Sequence, residues 1–338
     1  MGIVAAAQIA SIYFDARATA HRVAESIAEA AQAGAWLVAF TESCIPGYPD
    51  WVWRVPPLSS SPSAEPFATF EQRFVEQAIT VPGPETDIIA AACRKYHVMA
   101  AVGVTERPTG AGTLYNTLLY FGSDGAILGR HRKLVPTFAE RLVWGAGDGT
   151  TLRAITTPHG ILGGLICWEN MMPLARTTLY AQGEQIHLAP MQDNGDRWHA
   201  SVRHFASEGR MWVISTGVLM RETDLTPDLR ALGVYAPEEL ISPGDSVIVD
   251  PLGNIVAGPA HGNETILYAE APAQATLTAR RGFDAVGHYG RGDIFSLSLH
   301  GVPIPLEINA PVSMFAMSDH IWKPAECRNS EEAKEKNI

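Results

Sequence analysis

Three residues of different chemistry occupy the same kind of place in this chain. Cys167, Glu42 and Lys133 each follow directly on a short apolar stretch. Gly160–Asn170 reads GILGGLICWEN, and its run Ile161–Ile166 is too brief for a helix and suits a strand buried on both faces. Met171–Tyr180 then reads as helix, with Pro173 in its first turn. Cys167 is therefore expected at a strand-to-helix junction, where the positive end of the helix dipole would lower its pKa. The competing reading is a small buried hydrophobe, the commoner fate of a free cysteine. Glu42 follows the strand Trp36–Thr41, and Lys133 follows the strand Ala126–Arg132. Strand ends in α/β folds meet in one crevice. There Glu42 could take the thiol proton and Lys133 could stabilise negative charge developing on a substrate. Singly, a strand-end Glu or Lys is usually a solvated surface residue. The triple recurrence of the placement favours a site.

The elements that must position these groups alternate between strand and helix. Ile3–Ile9 reads as a strand, and Asp15–Ala33 as a helix stopped by Gly34. Pro84–Tyr96 is a helix leading into the strand Val98–Val104. Asn116–Phe121 and Ala126–Arg132 form a hairpin around Ser123-Asp124-Gly125. Further strands are expected at Ile186–Ala189, Trp212–Thr216, Ser246–Asp250, Asn254–Ala257 and Ile266–Glu270, with helices at Arg197–Gly209 and Pro272–Arg281. A helix–glycine–strand order at Ala31–Thr41 recurs at Ala181–Ala189 and hints at two similar halves. The pattern indicates an α/β fold. Val55–Pro66 and Arg221–Leu240 read as surface insertions, the first followed by a helix at Phe67–Thr80. Beyond about Val302 the periodicity lapses, and a Glu- and Lys-rich tail follows.

Composition narrows the function classes. With 338 residues, 46% hydrophobic and 18% charged, the chain can build a substantial core. A net charge of −11 argues against nucleic-acid or anionic-membrane binding through bulk electrostatics. Cys44, Cys93, Cys167 and Cys327 form no CxxC pair, which suggests free thiols in a reducing, cytoplasmic compartment. No secretory signal or membrane span is apparent. There is no GxSxG elbow, and Gly145, Gly147 and Gly149 lack the third glycine of a dinucleotide fingerprint. His199 and His204 do not share a helical face, no metal-ligand cluster accompanies them, and His97 and His131 read as structural.

Longer strings carry a resemblance. Phe40–Ser43 with Ile45–Pro49, Arg130–Leu134 with Pro136-Thr137 and Glu140-Arg141, and Gly164–Asn170 with Met172–Leu174 occur in order, as does Gly287-His288-Tyr289 with Arg291 and Asp293–Phe295. Over about residues 3–300 the chain resembles the nitrilase branch of the carbon–nitrogen hydrolase superfamily. The resemblance implies a four-layer α-β-β-α sandwich, a domain over 1–301 and a tail at 302–338 serving assembly. It implies a Glu42–Lys133–Cys167 triad, with Glu140 positioning the lysine and the substrate, and no metal or organic cofactor. The implied activity is hydrolysis of an organic nitrile to the acid and ammonia through a thioimidate and a thioester. Trp168 would supply a backbone N–H to the developing charge. Tyr48, Trp51, Trp144, Trp168 and Met191 are candidate pocket residues for an apolar nitrile substituent. The alternatives are an amidase or carbamoylase, or a cyanide-degrading hydrolase; those last enzymes usually carry His where this chain has Asn170. The insertions resemble those of nitrilases whose dimers build spirals, so the partner implied is a second copy of the chain.

Overall fold

A computed structural model describes residues 2–57, 65–304 and 306. Its elements in chain order are β1 (Ile3–Gln8), α1 (Ala16–Gln32), β2 (Ala35–Ala39), α2 (Glu65–Gln77), α3 (Pro84–Tyr96), β3 (Met99–Glu106), β4 (Tyr115–Phe121) and β5 (Ile127–Arg132). They continue with β6 (Ile155–Thr157), β7 (Gly160–Gly164), α4 (Pro173–Ala181), β8 (Ile186–Leu188), α5 (Gly195–Gly209), β9 (Trp212–Ser215) and β10 (Leu219–Arg221). The last are α6 (Pro227–Arg230), β11 (Leu240–Val249), β12 (Ile255–His261), β13 (Thr265–Glu270), α7 (Ala273–Arg280), β14 (Leu297–Leu299) and β15 (Val302–Ile304).

One sheet has the order β13-β1-β2-β3-β4-β5, and the other β10-β11-β9-β8-β7-β6 with β12 against β11. Strand alternation separates the layers. Val4, Ala6, Leu37 and Ala39 face the second sheet, where they meet Leu162, Leu188 and Ile214. Their neighbours Ala5, Ala7 and Val38 face outward onto Val23 and Ile27 of α1 and Ile89 of α3. On the far side of the second sheet, Trp198 and Val202 of α5 and Leu179 of α4 bury their apolar stripes. The result is the α-β-β-α sandwich. Asp15 caps α1 by accepting from the Ala18 N–H at 2.9 Å, and apolar residues at three- and four-residue spacing then turn inward.

Several expectations need correction. The helix predicted at Met171–Tyr180 begins at Pro173, because a residue without an N–H fits the first helical position; Cys167–Met171 is a separate 3-10 turn. Strand β7 ends at Gly164, two residues sooner than read. The described parts of the two insertions lie mostly at the surface, as read, but each is anchored: Val55 of the first and Leu225, Leu229 and Tyr235 of the second pack with Phe67, Phe70 and Phe74 of α2 into a third core cluster. They are also tied by Arg54–Glu239 at 2.7 Å and Arg73–Asp228 at 2.7 Å. The pattern does not lapse at Val302, since β14 and β15 pair around His300-Gly301, both with positive φ, as a two-residue hairpin turn requires. Residues 305 and 307–338 of the predicted tail, Cys327 included, and residues 58–64 of the first insertion lie outside the described residues.

Candidate active site

Glu42 arrives just past β2, on a loop that crosses β3 at close range. A Cβ on Gly103 would lie 2.2 Å from the Thr41 carbonyl oxygen and 2.9 Å from Glu42 Cα, so only glycine lets this backbone pass. Lys133 follows β5, held by its N–H to the Asn116 carbonyl at 2.8 Å. Glu140 sits in a short 3-10 turn, Phe138–Leu142, and accepts from the Thr137 N–H at 2.7 Å.

These side chains form one chain of bonds. Lys133 Nζ donates to Glu42 Oε1 at 2.7 Å and to Glu140 Oε2 at 2.8 Å. Asn116 Nδ2 also donates to Glu42 Oε1, at 2.7 Å, and the Tyr48 hydroxyl donates to Glu140 Oε1 at 2.8 Å. Trp53 Nε1 donates in turn to the Tyr48 oxygen at 3.2 Å. All the members but Trp53 are buried. Among the described residues Glu42 Oε2 has no hydrogen-bond partner, so this oxygen is available to take a proton.

Cys167 reaches the same place from the other sheet. It heads the 3-10 turn with φ 54, in the left-handed region, and its N–H donates to the Pro190 carbonyl at 2.8 Å. Glu42, Lys133 and Glu140 are close enough for their charges to bear on its titration. The expected dipole-lowered thiol is not what the structure holds. Burial pushes the Cys167 pKa up, and the Glu42 carboxylate pushes it further, against the opposing pull of Lys133 and the Gln192 N–H. The helix that was to lower it starts six residues later. Burial also raises Glu42 to about 6, with Lys133 opposing and Glu140 reinforcing. For Lys133, burial favours the neutral form, but Glu42 and Glu140 outweigh it and hold the ammonium charged. The resting site is therefore a neutral thiol beside an ionised base and a fixed cation.

The other candidate residues are placed as follows. Trp144 packs edge-on to Tyr48, with centroids 5.9 Å apart, and Trp51 lies behind it among Phe67, Phe70 and Phe74. Met191 is buried between the sheets, flanked by Pro190 and Gln192, whose backbones touch Cys167. Trp168 is partly exposed, donating to Asp193 at 2.7 Å and meeting Phe138 edge-on.

A family model described as carbon-nitrogen hydrolase matches residues 3–281. The chain is 40% identical over 301 residues to an aliphatic nitrilase from Sinorhizobium fredii (strain HH103), covering 88% of this chain and 96% of that one. The chain belongs to the carbon–nitrogen hydrolase family, in its nitrilase branch. It is also 39% identical to Nitrilase 1 of Arabidopsis thaliana, covering 88% of this chain and 86% of that one. Among solved structures, the fold is shared with a carbon-nitrogen hydrolase from Helicobacter pylori G27 at TM-score 0.64 and 23% identity, covering 83% and 92% of the two chains. Saccharomyces cerevisiae Nit3 matches at TM-score 0.65 and 20% identity, covering 87% and 97%.

Sequence reading passed over Asn116, which shares the Glu42 oxygen. Hairpin register offered a signal: Thr117 pairs with Arg132, so Asn116 stands opposite Lys133. Asn170, read above only as a mark separating the chain from cyanide-degrading enzymes, also braces the thiol's backbone: its Nδ2 donates to the Cys167 carbonyl at 2.9 Å and the Leu165 carbonyl at 2.7 Å, and its Oδ1 faces His187 Nε2 at 2.6 Å. Nothing local in the sequence pairs Asn170 with His187.

Proposed function

We propose that this chain hydrolyses an organic nitrile, with two waters, to a carboxylic acid and ammonia, using Glu42, Lys133 and Cys167. The observation that carries the reading is the buried lysine held between two carboxylates, with a thiol near enough for all three charges to act on it. Similarity at about 40% to proteins named nitrilases supports the substrate class.

Glu42 Oε2 takes the Cys167 proton as sulfur attacks the nitrile carbon, and the proton passes to nitrogen to give a thioimidate. A water activated by Glu42 adds to that carbon, and ammonia leaves from the tetrahedral intermediate, giving a thioester. A second water, activated in the same way, releases the acid and restores the thiol. Lys133 Nζ and the Trp168 N–H stabilise the developing negative charge. Glu140 holds Lys133 and is itself held by Tyr48. Trp168 and Tyr48 bound the substituent, with Trp144 and Trp51 behind them and Met191 beneath. The catalytic domain spans 1–301, and the chain works as a cytoplasmic homo-oligomer, dimers assembling further through 302–338.

The test offers matched aliphatic, aryl and arylaceto nitriles and their amides, following ammonia and acid. Nitriles consumed faster than their amides, with a transient acyl mass on Cys167, support the reading; faster amide turnover replaces it with an amidase. A second product deserves measurement, because relatives from Lupinus angustifolius and Nicotiana tabacum are named bifunctional nitrilase/nitrile hydratases. Loss of sulfur rather than ammonia from the tetrahedral intermediate would release the amide.

A further inference from the structure

Glu169 stands two residues past the thiol, touches none of the reacting groups described above, and is buried. Its carboxylate is nonetheless saturated. Oε1 accepts from the Leu134 N–H at 2.7 Å, and Oε2 accepts from the Ile166 N–H at 2.8 Å. His131 Nε2 lies 3.0 and 2.9 Å from the two oxygens. Leu134 is the residue after Lys133, and Ile166 is the residue before Cys167. The lysine's segment continues β5 in one sheet, and the thiol's continues β7 in the other.

From this geometry we propose that Glu169 is a positioning residue: a strut that sets Lys133 against Cys167 by gripping the backbone beside each. Only an ionised carboxylate suits the post, because each oxygen must accept from a different amide. Burial opposes that charge, but His131 and the two amides overcome it and hold Glu169 below the usual carboxylate range. Both grips are one residue from a reacting side chain, so slack in either moves the lysine relative to the sulfur. Misplacement of reacting groups by about 1 Å can cost on the order of 10²-fold in rate. The inference rests on the roles proposed for Lys133 and Cys167.

Two substitutions test it. Glu169→Gln keeps the volume but turns an NH2 donor toward one of the two amides. Glu169→Asp keeps both acceptors on a stem one carbon shorter. Assayed well below each variant's melting midpoint, Glu169→Gln should lose about 30-fold or more in kcat with KM within about threefold, and Glu169→Asp about tenfold. The acid limb of the pH–rate profile should move upward in both, because a displaced Lys133 opposes Glu42 protonation less. A brace serving only the fold would lower the melting midpoint and move neither kcat nor the acid limb of the folded enzyme; that result overturns the proposal. If Glu169→Gln does not fold, Glu169→Asp decides by the same criteria. Absence of nitrile turnover in the unaltered protein would instead refute the function proposed above.

Discussion

The two sheets contribute unlike halves to one site. The six-stranded sheet and its loops supply charge: Glu42, Lys133 and Glu140 are buried, and each side chain makes at least two hydrogen bonds. The seven-stranded sheet supplies a single neutral thiol, and there it is the backbone that is held. The Cys167 N–H and carbonyl are both bonded, and its φ is positive. Charges removed from water must be paired to be tolerated, so that half is a network. A thiol needs no partner, but forcing a non-glycine residue into the left-handed region costs conformational energy that the surrounding bonds must offset. A second buried thiol sharpens the contrast. Cys44 lies on the loop that carries Glu42, and burial pushes it up to about 12. Burial thus raises both thiols; what distinguishes Cys167 is the Glu42 carboxylate and the Lys133 ammonium whose charges act on it.

The largest test removes the neutral half. Cys167→Ala should lower turnover by on the order of 10⁵–10⁶, with the melting midpoint nearly unchanged; ammonia release and calorimetry read the two. Next, Lys133→Arg breaks the charged half. A planar fork cannot aim one nitrogen at both Glu42 and Glu140, and a loss of roughly 10²–10³ in kcat is expected.

A subtler test titrates the charged half. Glu42 must be ionised to act as base, so activity should rise with pH through about 6. Stability moves the other way. The folded state raises this carboxyl from 4.5 to about 6, so its contribution to stability is present below 4.5 and lost as pH rises through 6. Urea midpoints of the wild type relative to Glu42→Gln should therefore fall across the window in which turnover climbs. The smallest effect concerns the comparison thiol. Cys44→Ala should keep kcat within about twofold while costing about 1 kcal/mol of stability, the scale of deleting a small buried group. Iodoacetamide should inactivate the folded wild type through Cys167 and leave Cys44 unlabelled, as peptide mass mapping would show.

Much of the architecture was legible because strands and amphipathic helices leave periodic traces. Asp15, Gly34 and the Ser123-Asp124-Gly125 turn marked their boundaries through local chemistry. The aromatic lobe was not legible: Val55–Pro66 and Arg221–Leu240 look polar along the chain, and the contacts that bury their neighbours, such as Arg54–Glu239, span 185 positions. The hairpin β14–β15 was missed because its turn, His300-Gly301, is a weaker signal than the Asn-Gly or Asp-Gly pair that marks a two-residue hairpin.

What the sequence determined by itself was which residue types could react and that each follows a strand, since strand ends are written in local patterns of apolar residues. Only the tertiary structure decided the state of those groups. The thiol is raised and not lowered, because a pKa answers to burial and to charges brought from the opposite sheet, and neither is a property of the residues beside Cys167 in the chain.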